Sequence, residues 1–203
     1  MHTTFKVAIN YAVDEEVIFK NRFNSIKVEQ NERTDNYLTP EELEILLSAA
    51  KEHGNSTQYM FILLLAYSGM RKGEALGLHW KNVDFENNTI TIEHTRDNEG
   101  IRTPKTKNSY RTIDIDRKVM QQLKVYFIEC KELKLSYGHK LNKDNDLVFI
   151  APGHIDGIYT TYIDKFLNKL YNILYKNNIN FNKIFACFCF KPWFKTYTCD
   201  NFD

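Results

Sequence analysis

Residues Met60 to Ala66 form an unbroken apolar run, and Tyr67-Ser68-Gly69-Met70-Arg71-Lys72-Gly73-Glu74-Ala75-Leu76-Gly77-Leu78 ends it abruptly. An apolar run at the spacing of a buried helix must be covered on all sides, so the chain has to build its core around it. Ser68-Gly69 is expected to stop this helix, because glycine accepts the backbone angles that a sharp stop requires. Arg71 follows at the corner, and Glu74-Ala75-Leu76 opens a second short helix reaching Leu78. A planar, permanently charged guanidinium at a rigid corner suits a bidentate grip on phosphate. The local pattern fits equally well a surface arginine paired with Glu74, three residues on.

A helix start upstream marks where a domain begins. Thr39 is the expected N-cap, Pro40 fits the first helical position, Glu42 closes a capping box, and Leu38 and Leu43 can staple across it. Leu43, Leu46, Leu47 and Ala50 share one face, and Gly54 ends the helix. The apolar helix then spans roughly Thr57 to Tyr67. After Trp80 and Val83-Asp84 the period changes from helical to alternating. Asn88 to Glu93 reads as a strand entered by an Asn87-Asn88 turn, His94 to Arg102 as a polar connection, and Arg111 to Ile115 as another strand. Lys118 to Leu133 returns to helix, buried through Val119, Leu123, Tyr126 and Phe127. Leu147 to Ile150 is a short apolar segment. Tyr159 to Lys176 is strongly amphipathic, with Ile163, Phe166, Leu167, Leu170 and Leu174 inward. The expected fold class is α+β, mainly α.

Residues 1–26 are expected to hold one amphipathic helix, from Phe5 through Ala8, Ile9, Ala12 and Val13 towards Ile18, as the last helix of a larger unit. Residues 27–37 are polar and unpatterned and read as a linker. A chain of 203 residues and 24.0 kDa holds one good core domain with a small appendage. No apolar run is long enough to cross a membrane and no secretory signal opens the chain, so a cytoplasmic protein is expected. The net charge of +1 names no partner, although basic residues gather over Arg102 to Arg111 and Lys165 to Lys176. Cys187, Cys189 and Cys199 have no flanking histidine and make a poor zinc signature, so no metal and no cofactor is expected.

The string from Ser68 to Leu78, with Trp80 and Val83-Asp84, resembles the first catalytic-arginine motif of tyrosine recombinases of the phage-integrase type. The capped helix at Thr39 resembles the start of their catalytic domain. Pro104-Lys105-Thr106-Lys107-Asn108-Ser109 followed by Arg111-Thr112-Ile113 resembles their β-hairpin with a catalytic lysine. The resemblance runs from about Phe5 to about Ile184, and implies helices around a small antiparallel sheet. It also implies a tyrosine attacking a DNA phosphodiester, with arginines stabilising the charge that builds up and a lysine protonating the leaving 5′-oxygen. By resemblance Arg71 is the first phosphate arginine, with Glu74 helping to build its corner. Lys105 is the hairpin acid, with Lys107 as the alternative. Arg71, Lys105, Lys107 and Arg111 are the expected DNA contacts. Double-stranded DNA is the implied partner, and intact members assemble as homo-oligomers on it.

Two further family features, a later His-x-x-Arg string and a nucleophilic tyrosine beyond it, are not found in frame. The catalytic domain is therefore expected to be partial, over 38–184, and C-terminally incomplete. Residues 185–203 match no amphipathic period and no capping rule. Pro192 to Asp200 can be encoded as CCA TGG TTT AAG ACA TAC ACA TGC GAT. One nucleotide later this reads His-Gly-Leu-Arg-His-Thr-His-Ala, the absent motif. A frameshift between about Lys183 and Lys191 is thus expected, with Tyr197 excluded as nucleophile. The implied function is an integrase-like protein for DNA integration and recombination, in a catalytically incomplete copy. The alternatives are a non-enzymatic DNA-binding remnant, or an unstable product with no activity.

Overall fold

The computed structural model describes residues 2–21, 23, 38–97, 99–102, 110–151, 153 and 156–176. The chain divides into two compact units, Met1–Thr34 and Asp35–Asp203. In the first, helix α1 covers His2–Asp14. It stops earlier than its apolar spacing suggests, because Glu16 turns into the left-handed region at φ 59°. Phe5 meets Phe23 edge to face at 5.1 Å, and the Asn21 side-chain amide donates to Asn10 Oδ1 at 2.5 Å. The expected linker over 27–37 and the expected tail over 185–203 lie outside the described residues.

The second unit opens with α2, Pro40–His53, and the start that its sequence announces is formed in full. Glu42 N–H donates to Thr39 Oγ1 at 3.2 Å, and Thr39 N–H donates to Glu42 Oε2 at 2.8 Å. Helix α3, Ser56–Ser68, carries a second reciprocal box that sequence reading missed, between Asn55 and Gln58. Asparagine caps as well as serine does, and its partner here is glutamine rather than glutamate. Seven consecutive side chains, Met60 to Ala66, are buried in α3, which makes it the central helix. It stops where glycine permits: Gly69 sits at φ 63°, ψ 18° and returns its N–H to the Leu65 carbonyl.

Helix α4, Lys72–Leu76, is followed by a 3-10 turn at Trp80–Asn82. Strands β1 (Val83–Asp84), β2 (Thr89–Ile92) and β5 (Arg111–Asp114) form an antiparallel sheet in the order β1-β2-β5, with Ile90 opposite Val83 and Ile113. Ile90 and Ile92 point into the core, while Thr91 and Thr112 pair through their hydroxyls at 3.1 Å. The stretch expected as a polar connection is instead a hairpin of β3 (Thr95–Asp97) and β4 (Gly100–Arg102). Its residues are too polar to signal strands. The pairing comes from backbone bonds and from the turn at Gly100, whose φ is 126°.

Helix α5 covers Arg117–Ser136 and α6 covers Thr160–Lys176. Trp80, 1% exposed, packs on Phe127 at 4.6 Å, and Phe61 packs edge to face on Phe149 at 4.9 Å. The Leu147 to Ile150 segment is extended and bridges His79 and Gly157 through isolated pairs. Its Ile150 carbonyl accepts from Thr57 Oγ1 at 2.9 Å. Among the described residues no helix is long and apolar enough to cross a membrane.

Candidate nucleic-acid interface

Arg71 is the N-cap of α4, in extended backbone at φ −72°, ψ 149°. The bend at Gly69 ends α3, and the Arg71 carbonyl accepts the first bonds of the new helix from Glu74 and Ala75. Its side chain is 60% exposed. Glu74, one helical turn on, is 4% exposed and organises the corner. Its Oε2 accepts the Arg71 backbone N–H at 2.8 Å, and its Oε1 accepts Arg71 Nη1 at 2.8 Å. Arg111, the first residue of β5, closes on the same carboxylate with both terminal nitrogens. Nη1 lies 3.1 Å from Oε1, and Nη2 lies 2.8 Å from Oε2. Burial alone would raise the Glu74 pKa. The bonds from Arg111 and from the backbone and side chain of Arg71 together outweigh it, and hold the carboxyl below its ordinary 4.5.

The corner is braced from two directions. Lys72 Nζ is 2.8 Å from Asp164 Oδ1, tying α4 to α6. On the other side α4 lies against β3 with no room for side chains at Gly73 or Gly77. A Cβ on Gly73 would meet Thr95 Oγ1 at 2.6 Å, and one on Gly77 would meet the Thr95 and Arg96 backbone at 3.0–3.1 Å. Two glycines four residues apart were the available signal for this close approach, because they clear one helical face. His79 fixes the far end of α4, with Nδ1 3.0 Å from the Gly77 carbonyl. Burial, then the charge of His94, lowers its pKa. Among the described residues no cluster of histidine, cysteine or carboxylate side chains could hold a metal ion.

Of the expected site residues, the structure joins Arg71 and Arg111 through Glu74. Lys105 and Lys107 lie outside the described residues. The Arg71–Glu74 pairing that the sequence offers is formed, at 2.8 Å. Glu74 occupies one terminal nitrogen, and the Arg71 side chain as a whole is well exposed. Arg111's place beside Glu74 had no sequence signal, since 37 residues separate them.

A catalytic-domain fold of helices around small antiparallel sheets, with an arginine presented at a helix corner, defines the class. The phage integrase family model matches residues 36–182, and the chain belongs to that family. It is 31% identical over 159 residues to a tyrosine recombinase XerC-like protein of Caldanaerobacter subterraneus subsp. tengcongensis, covering 68% of this chain and 40% of that protein. It is 33% identical over 130 residues to the transposase from transposon Tn916 of Enterococcus faecalis, covering 60% of this chain and 32% of that protein. The chain thus spans less than half the length of these relatives. Among solved structures, the Tn1549 transposon integrase in complex with a circular intermediate DNA superposes with a TM-score of 0.69. The identity is 23%, over 86% of this chain and 57% of that one. A lambda integrase dimer bound to a COC′ core site gives 0.57 at 15% identity, over 84% of this chain and 43% of that one. These structural likenesses carry the fold.

Proposed function

We propose that this chain acts on double-stranded DNA as the first-arginine portion of an integrase, gripping a backbone phosphate with Arg71. The observation that carries the reading is the Arg71 guanidinium itself, exposed and yet fixed by Glu74 at a braced helix corner. A donor fork positioned before the ligand arrives suits a phosphodiester, whose oxygens accept charge-assisted bonds. Lys105, which would protonate the leaving oxygen in an intact integrase, joins Lys107 here as a backbone contact. The named DNA complexes of similar integrases support the choice of partner. In this reading the protein works in the cytoplasm, on DNA held there.

With no in-frame His-x-x-Arg string in the 203 residues, the chain as given binds DNA without cutting it. A nicked suicide duplex tests this. The expected result is a salt-dependent gel shift and no denaturant-resistant protein–DNA adduct. A trapped adduct would show a complete cleavage site, and no shift at low salt would remove the DNA reading altogether. Sequencing the gene across codons 183–200 tests the frameshift, which fails if the codons for Pro192 to Cys199 do not yield the shifted motif.

A further inference from the structure

We propose that Arg111 is a positioning residue, orienting Arg71 for a DNA phosphate through Glu74 and making no phosphate contact of its own. The inference rests on the reading of Arg71 given above and assigns the residue that makes it work. A carboxylate offers about four lone-pair sites, and all those of Glu74 are taken. Oε1 accepts from Arg71 Nη1 and Arg111 Nη1, and Oε2 accepts from the Arg71 backbone and Arg111 Nη2. The Arg111 fork faces this buried group squarely, whereas Arg71 gives it one terminal nitrogen only. Exposure follows the same division, 60% for Arg71 and 30% for Arg111.

The consequence is electrostatic as well as geometric. Two guanidinium groups against one carboxylate leave one positive charge in excess, and the more exposed arginine carries it to solvent. Without Arg111, Glu74 would have two vacant acceptors in a site almost closed to water. Arg71 is the remaining donor on that carboxylate, so its fork would turn inward to fill them. The phosphate-binding edge would then be spent on the protein. Arg111 therefore keeps Arg71 outward by satisfying Glu74 first. Lysine cannot substitute, because a point-like ammonium does not reproduce the two parallel bonds.

Salt titration of DNA binding separates this role from a direct contact. The probe is a fluorescein-labelled duplex of mixed sequence, read by anisotropy across a potassium chloride series. Each phosphate contact adds about 0.9 to the slope of log affinity against log salt. Arg71→Ala is expected to lower the slope by about 0.9, and Arg111→Ala by the same amount. The double variant is expected to lose no more than either alone, and Arg111→Lys to behave as Arg111→Ala. An Arg111→Lys protein with the wild-type slope, or a double variant losing a further 0.9 or so, would overturn the positioning role. An unchanged slope in Arg71→Ala would instead overturn the phosphate role of Arg71. Glu74→Gln/Arg111→Met removes the buried pair as a unit and serves if circular dichroism shows Arg111→Ala unfolded. With no buried carboxylate left to draw it inward, Arg71 should keep the wild-type slope in this variant, and a loss of about 0.9 would give Arg111 a phosphate contact of its own and overturn the proposal.

Discussion

Lys72 Nζ and Asp164 Oδ1 lie 2.8 Å apart across 92 residues of sequence, joining the helix that carries the arginine corner to α6. Lys72 is 18% exposed and Asp164 36%, so the pair is partly shielded from water. Ion pairs of this exposure contribute modestly, because side-chain ordering offsets much of the attraction.

Asp164→Asn is therefore expected to lower stability by about 0.5–1 kcal/mol, measured by urea denaturation. The loss should shrink in high salt, which screens a partly exposed pair. A loss unaffected by salt would assign the tie to packing instead.

Glu74 makes the corner sensitive to acid. Its folded-state pKa lies below 4.5, through the bonds from Arg111 and Arg71 that outweigh burial. A carboxyl depressed in this way contributes stability that is in place above its unfolded pKa, and loses it as pH falls through the folded value. Glu74→Gln should thus be less stable than the wild type at pH 7, and the gap should narrow below about pH 4.5. Denaturation of both proteins across an acid series checks it. A gap that stays constant with pH would mean that the charge contributes nothing.

The helices were legible because each rule behind them is local. Thr39, Pro40 and Glu42 start α2, Gly69 ends α3, and the spacing of Ile163, Phe166, Leu167, Leu170 and Leu174 places the buried face of α6. Strands β2 and β5 were legible from the alternation of Ile90, Ile92 and Ile113. The β3–β4 hairpin was not, since Thr95-Arg96-Asp97 has no apolar alternation and its partner is chosen by backbone pairing. The site divides in the same way. Arg71 caps the short helix that carries Glu74, so their spacing displays them together. Arg111 reaches Glu74 only once the sheet has formed, and no spacing rule links a strand residue to a helix 37 positions earlier.

Cys130 should be chemically silent in the folded protein. Its thiol is buried, and that burial pushes its pKa to about 12. Thiolate, the reactive form, is then scarce at neutral pH. In a variant with Cys187, Cys189 and Cys199 changed to serine, a thiol-reactive dye is expected to label Cys130 only as urea unfolds the protein. Rapid labelling without denaturant would contradict the packing of α5 against the Val148 segment, where the Cys130 Sγ approaches the Val148 carbonyl at 3.9 Å.

The two glycines of the corner should respond differently to alanine, because different atoms confront them. At Gly73 the new methyl meets Thr95 Oγ1 at 2.6 Å and the Arg96 carbonyl oxygen at 3.2 Å. The hydroxyl can move by rotation of one side chain, and alanine gains up to about 1 kcal/mol over glycine in helix propensity. At Gly77 the obstacles are Thr95 C at 3.0 Å, and Arg96 N and Thr95 Cα at 3.1 Å, all backbone of a paired strand. Relief there requires β3 to shift with its hairpin. Gly77→Ala is expected to cost about 1–3 kcal/mol, and Gly73→Ala less. Thr95→Ala removes the hydroxyl, so it should restore much of the loss in Gly73→Ala and none in Gly77→Ala. Urea denaturation of the single and paired variants provides the comparison. Equal rescue at both positions would mean that the Thr95 side chain, rather than the approach of two backbones, sets the distance between α4 and β3.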